Sequence, residues 1–278
     1  MKKMNTFTQS LIGASLLSIF AGSASAMVIT DFDSADNMAQ SLAGDGVVIS
    51  NASYTGANSA SGYFTDGLAS GLGFDSGIVL TTGAANSVNG TTNNSDATSV
   101  SNGTAGDAFL STLSGQQTYD AALLSFDFTS DKDSAFFNYA FGSEEYSEFV
   151  DSYNDVFAFI FESENIAVIP NTDIPVSINT INDEDNSNYY NSNEAGEFAF
   201  EYDGFTNMLT ASISGLVIGE TYRITLAIAD AGDSALDSGV FIQAASFSDQ
   251  PVDVPEPAPL FLLGSGLLMM LGRRLRKS

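Results

Sequence analysis

Leu124-Ser125-Phe126-Asp127-Phe128-Thr129 closes a β-favouring run, Ala121–Thr129, that sets the fold class. In an extended chain Leu124, Phe126 and Phe128 fall on one side and Ser125 and Asp127 on the other, the period-two alternation of a half-buried strand. Tyr222-Arg223-Ile224-Thr225-Leu226-Ala227-Ile228 repeats it, with the larger apolar residues at every second position. Similar runs, bounded by Gly, Asn, Asp and Ser, predict strands over Gly46–Ser50, Gly77–Thr82, Ala135–Phe141, Val156–Glu162, Ile166–Ile169, Val176–Thr180, Phe198–Tyr202, Met208–Ile213 and Gly239–Phe247, with the second quoted run extending to Ala229. Two short helices are predicted, Asp36–Ala43 with Asp36 as N-cap, and Gly106–Leu113 with Phe109, Leu110 and Leu113 on one face. Many strands with few crossover helices predict an all-β chain, an antiparallel β-sandwich or jelly-roll-like single domain. A parallel β-helix is the structural alternative, but it needs a fixed internal period, and none is visible. Asn51–Gly62 and Ala84–Gly106, rich in Asn, Ser, Thr and Gly, read as long surface loops that bury little apolar surface, the second a candidate for mobility.

The two ends follow a different grammar. Lys2 and Lys3, an apolar stretch from Leu11 to Ala21 and the small residues Ala24-Ser25-Ala26 have the order of a secretory signal cleaved after Ala26. At the other end, Val254-Pro255-Glu256-Pro257 is followed by an apolar run from Ala258 to Gly272 and then by Arg273, Arg274, Arg276 and Lys277. That run has 15 residues, against roughly 20 for a full span. The basic cluster behind it is a stop-transfer signal, because cationic flanks stay on the cytoplasmic side. The expected organisation is a signal peptide over 1–26, one β domain over 27–249, a linker over 250–257 and a transmembrane sorting tail over 258–278.

Composition narrows the chemistry. Six of the eight Lys and Arg residues sit in the two ends, so Lys132 and Arg223 face all 34 Asp and Glu residues of the part between. Such a chain cannot hold nucleic acid, which needs clustered cations, and it repels itself unless something neutralises it. Disorder does not fit, because 44% of the chain is hydrophobic and Phe and Tyr are plentiful. Cys, His and Trp are absent. That excludes disulfides, Ser-His-Asp or Cys-His catalysis and zinc sites of His or Cys ligands. Carboxylates, amides, hydroxyls and carbonyls remain, and these are the ligands of calcium.

Two acidic loops are the expected calcium sites. Glu144, Glu145, Asp151, Asn154 and Asp155 lie between a strand ending near Gly142 and one starting near Val156. Asp230, Asp233 and Asp237 lie between a strand ending at Ala229 and one starting at Gly239. A third candidate is Asn179–Asn188, with Asn182, Asp183, Glu184 and Asp185. None has EF-hand spacing, and the plain alternative for each is a solvated acidic loop. Phe74-Asp75-Ser76-Gly77-Ile78 and Leu236-Asp237-Ser238-Gly239-Val240 share the apolar-D-S-G-apolar form of aspartic protease sites, although D-S-G is also a common turn string. Carboxylate pairs could also serve a glycosidase, with Tyr189, Tyr190 and Tyr202 standing in for the missing Trp as sugar platforms.

The tail, with its Pro255-Glu256-Pro257, short apolar run and terminal basic cluster, resembles the PEP-CTERM sorting signal. That resemblance implies recognition and removal by an exosortase, in a Gram-negative host with an exopolysaccharide or biofilm system. The domain itself resembles the choice-of-anchor L domain. The resemblance is carried by Gly77-Ile78-Val79-Leu80-Thr81-Thr82-Gly83, Thr118-Tyr119-Asp120-Ala121-Ala122, Tyr139–Phe149, Tyr153–Phe159, Pro175–Asn179, Tyr202-Asp203-Gly204-Phe205-Thr206, Leu226–Asp233 and Asp237–Ile242. It implies a bacterial surface β-sandwich joined to a variable anchor, with no established catalytic activity. The Asn- and Ser-rich loop before Gly106 departs from the family pattern.

The expectation is therefore an exported surface or matrix protein, not an enzyme, stabilised by calcium and acting in adhesion or exopolysaccharide association. Signal peptidase and exosortase would be its processing enzymes, exopolysaccharide or other surface proteins its partners, and the C-terminal helix its membrane contact. The alternative is an extracellular hydrolase using Asp and Glu alone.

Overall fold

The computed structural model describes residues 26–90 and 92–252. The signal segment with Ala24, and the tail with Pro255, Glu256, Pro257, Arg273, Arg274, Arg276 and Lys277, lie outside the described residues. Among the described residues no helix is long and apolar enough to cross a membrane.

Thirteen strands follow in chain order: β1 (Val28–Asp31), β2 (Val47–Thr55), β3 (Ser61–Thr65), β4 (Gly77–Thr81), β5 (Thr118–Ser130), β6 (Ser134–Ser143), β7 (Val156–Phe161), β8 (Glu164–Asn165), β9 (Tyr190–Ser192), β10 (Gly204–Thr206), β11 (Leu209–Ser214), β12 (Tyr222–Ala231) and β13 (Ser238–Gln243). They form two antiparallel sheets. The larger runs β1-β3-β4-β13-β6-β10-β9, with β11 also paired to β6, and the smaller runs β2-β5-β12-β7-β8. The predicted β-sandwich is what forms.

The period-two strands build its centre. Leu124, Phe126 and Phe128 of β5 and Ile224, Leu226 and Ile228 of β12 are buried against residues of the facing sheet. On the outer face Arg223 sits opposite Asp127, and Ser125 Oγ lies 2.7 Å from Thr225 Oγ1. Aromatic rungs join the sheets: Phe137 and Tyr139 of β6 meet Phe159 of β7 at ring-centre distances of 4.7 and 4.8 Å, and Phe141 stacks on Phe157 at 4.9 Å. Edge-to-face and offset pairs of this kind add about 0.5–1.5 kcal/mol each beyond the apolar area they bury. The core supplies what disulfides cannot in a chain without Cys.

Each sheet also buries its back. The small residues Ala121, Ala158, Ala227 and Ala229 leave room for a helix, α3 after its predecessors α1 (Ala35–Leu42) and α2 (Gly67–Ser70), spanning Ala108–Ser114 and inserting Leu110. Behind the larger sheet, Val79, Ala140 and Phe241 pack under Phe64, Phe74, Phe200 and Phe205.

Several local expectations are corrected. Helix α1 is capped by Ser34, whose Oγ accepts from the Asn37 amide, and Asp36 falls in its first turn. Helix α3 starts later than predicted because Asp107 caps the Phe109 and Leu110 amides. Asn51–Gly62 is not a loop: it holds the end of β2, a 3-10 turn and the start of β3, with Asn51, Ser53, Thr55, Asn58 and Ser59 exposed and Ser61 buried. Ile166–Ile169 and Val176–Thr180 are not strands. Pro170 and Pro175 lack ladder donors, and one isolated Val168–Pro175 bridge remains. Phe198–Tyr202 is irregular, because the Asn193 amide takes the carbonyls of Phe200 and Tyr202 that a neighbouring strand would have bonded.

Phe128 is fully buried and Val48 is 67% exposed. Urea unfolding should place Phe128→Ala about 3–5 kcal/mol below the parent, and Val48→Thr within about 0.5 kcal/mol of it. Equal losses would contradict this assignment of the core.

Candidate functional site

Register brings the acids together. Ser143, the last residue of β6, lies opposite both Gly204 and Ser238. Glu144, Asp203 and Asp237 therefore stand side by side at one end of the larger sheet. In the smaller sheet Ala229 pairs with Val156 and Asp230 with Tyr119, so Asp155, Asp230 and Asp120 end at the same level. The aromatic rungs stop at Phe141 and Phe157, and the next buried positions between the sheets carry carboxylates. Glu144, Glu145, Asp155, Asp203, Asp230 and Asp237 are all at most 3% exposed.

Their partners are few. Asp155 Oδ1 accepts from the Ala231 amide and Glu145 Oε2 from the Asp155 amide, both at 3.0 Å. Asp237 shares the single Val100 amide between its two oxygens, each at 3.0 Å. Neither Glu144 oxygen has a partner, nor do Asp155 Oδ2, Asp203 Oδ2, Asp230 Oδ1 and Asn154 Oδ1. Asp120 shows what satisfaction looks like here: it accepts from the Asn102 and Thr104 amides and from the Ser101 and Thr104 hydroxyls.

Among the described residues no internal cation compensates. Lys132 pairs with Asp249 and Arg223 with Asp127, near the opposite ends of β5 and β12. Burial therefore drives these acids toward the neutral form. It pushes Glu144 up to about 9, helped by Asp203, Glu201 and Asp237, while the Thr98 amide offsets part of this without completing a hydrogen bond. Burial also raises Asp155 well above the carboxylate range, with Glu145 and Asp230 adding repulsion. It raises Asp230, with the nearby Thr82 hydroxyl opposing it. Asp203 and Asp237 are pushed up to about 6, chiefly by burial.

The predicted sites divide. Glu144, Glu145 and Asp155 from the first loop and Asp230 and Asp237 from the second form one cluster. Asp151 is exposed, and Asn154 and Asp233 are half-buried. The third candidate is a solvated loop: Asp183, Glu184 and Asp185 are exposed, and Asn182 folds back to cap the Glu184 and Asp185 amides. Among the described residues no group of three or more acids is gathered in a ready-made metal cage. What fits a hard cation is the donor chemistry, all oxygen and partly unpaired.

Composition hid three contributors. Asp203 and Asp120 lie inside stretches quoted above for the family resemblance, but nothing local marks them as neighbours of Glu144. The third is the 84–106 loop, read as a surface segment. Asn93 donates to Asp203, Val100 to Asp237, and residues 101–104 encircle Asp120. Gly83 permits this closeness, since a methyl group there would collide with the Asp237 carboxylate.

The two D-S-G strings do not come together as an aspartic protease site would require. Strands β4 and β13 are antiparallel, with Gly77 opposite Gln243 and Thr81 opposite Gly239. Asp75 and Asp237 therefore precede opposite ends of the pair, roughly 25 Å apart at a strand's rise per residue, and cannot share a proton. Tyr202 is 1% exposed and hydrogen-bonded to Thr81, so it offers no open face to a sugar, while the half-buried Tyr190 lies against Tyr146 with the rings tilted at 43°.

The raised acids make stability depend on pH in a defined direction. A folded carboxylate whose pKa lies above its ordinary value, 4.5 for Glu144, favours the folded state most below that value and loses the contribution as pH rises through the folded one. In metal-free buffer the melting temperature should fall steadily between about pH 5 and pH 9. A flat or rising profile would mean that these acids are not held neutral.

The family model of the Choice-of-anchor L domain matches the chain over residues 28–248. No curated protein and no solved structure matches it.

Proposed function

The chain belongs to the choice-of-anchor L domain family, and from that premise we propose that it is a non-enzymatic module of the bacterial surface or extracellular matrix whose acidic end is closed by calcium. In this reading the chain is exported, cleaved by signal peptidase after Ala26, held in the membrane by its C-terminal helix and processed by an exosortase at Pro255-Glu256-Pro257. It then acts in adhesion or exopolysaccharide association. Family membership supports the surface assignment. The order of motifs in the two ends supports the export and sorting steps.

One observation carries the calcium assignment: Glu144 is buried with neither carboxylate oxygen partnered, in a cluster to which no Lys or Arg side chain among the described residues contributes. An unpaired buried charge costs several kcal/mol, and the cluster has two ways to avoid that cost. It can bind protons, or it can bind a cation whose preferred ligands are six to eight oxygens. Extracellular calcium modules work with dissociation constants of about 0.1–1 mM, so an exported protein needs only modest affinity. Glu144, Glu145, Asp155, Asp230 and Asp237 would hold the ion by drawing inward, and Asp151, Asn154 and Asp233 at the rim would complete its shell.

Calcium at about a hundred times its dissociation constant should raise the melting temperature of the purified protein by about 5–10 °C over the chelated sample. Glu144→Gln, which removes the charge and keeps the shape, should melt a few degrees higher than the parent in chelator and lose most of the calcium increment. A melting temperature indifferent to calcium in the parent would remove the mechanism.

A further inference from the structure

Beside the buried cluster, three separate segments close around a polar cleft of about 350 Å³. The 84–106 loop brings Asn93 and Asp96, the connection after β6 brings Glu148, and the approach to β10 brings Glu194 and Asp203. Of these, Asp203 is the fixed wall. It is 2% exposed, its Oδ1 accepts from the Asn93 amide group, and its Oδ2 has no partner although it too is buried. Glu148, Glu194 and Asp96 stand exposed around it, near enough for their charges to act on it. Glu194 is already steered by the Ser147 hydroxyl, which donates to its Oε1.

A surface patch of acids alone would relax into water. Here the loop is tied down instead: Thr92 donates to the Gly196 carbonyl, and the Asn93 amide group also reaches the Asn193 carbonyl at 3.3 Å. The fold therefore builds a cleft lined by four carboxylates, one of which, Asp203, keeps a buried oxygen without a partner.

We propose that this cleft is a second, solvent-open site for a calcium-sized divalent cation, with Asp203 as its buried ligand and Glu194, Glu148 and Asp96 as its mobile ones. Magnesium suits it less, because that ion demands near-ideal octahedral geometry and sheds its waters reluctantly. The site adjoins the closed cluster through Asp203, which neighbours Glu144, but shares none of the ligands proposed for it above. Its open side leaves coordination positions to water or to an oxygen ligand from outside the protein.

Terbium, a calcium mimic, reads the site directly, because Tyr190 lies close enough to feel the charges of Glu194 and Asp203 and can sensitise the ion's emission. Titrating the full chain should give a saturable terbium signal that calcium displaces. Glu194→Gln and Glu148→Gln alter exposed side chains and leave the fold intact, and each should shift the midpoint about tenfold or more toward weaker binding, with Asp203→Asn shifting it further. Glu220→Gln, at an exposed position near the start of β12, should leave it unchanged. A midpoint insensitive to Glu194→Gln and Glu148→Gln, or equally sensitive to Glu220→Gln, would overturn the site. Asp230→Asn separates the two proposals: it should reduce the calcium-dependent rise in melting temperature while preserving the terbium signal, and a protein whose melting ignores calcium but whose terbium binding needs Glu194 would retain this site and lose the other.

Discussion

A carboxylate withdrawn from water without a donor or a counter-charge must be neutralised, and most of what is distinctive in this protein follows from that constraint. Glu144 meets it in the sharpest form, fully buried, unpartnered and beside Asp203, Glu201 and Asp237. A well-packed apolar side chain would serve stability better at such a position. In the calcium reading proposed above, the acids act as ligands in waiting rather than as structural elements.

The sandwich creates the problem and frames the answer. Aromatic rungs between β6 and β7 fill the space between the sheets as far as Phe141 and Phe157. Beyond them the strand ends of both sheets contribute acids at one level, because antiparallel register aligns Ser143 with Gly204 and Ser238, and Asp230 with Tyr119. The domain's two cations are spent elsewhere, Lys132 on Asp249 and Arg223 on Asp127. The 84–106 loop then covers the acidic end with backbone amides, giving Asp120 a full set of donors, Asp237 a single one and Glu144 none that completes a bond. That gradient locates the centre of the unmet demand.

The fold was legible where one physical signal dominated. Alternation in β5 and β12 is the direct imprint of a two-faced sheet, so Leu124, Phe126 and Phe128 fell on the core side as read. Short strands such as β9 and β10 were not legible, since three residues carry no period. Phe198–Tyr202 misled because it has strand composition, while its carbonyls are taken by Asn193, a tertiary contact that no window of sequence contains. At the site, the acids flanking strand ends were recognisable from their position in connections. Asp203 and the amides of the 84–106 loop were not, because their role depends on register between strands more than 50 residues apart. In the proposed reading the tail motifs sort the protein, and the family supplies its surface setting; neither tells how the acidic end is neutralised.

Proton counting on calcium addition addresses that question most directly. Acids held neutral by burial must give up their protons when a cation takes their place. Adding calcium to the protein in weakly buffered solution near pH 7 should therefore release protons in a saturable way, and Glu144→Gln should release fewer. Calcium binding with no proton release, or no binding at all, would contradict the account.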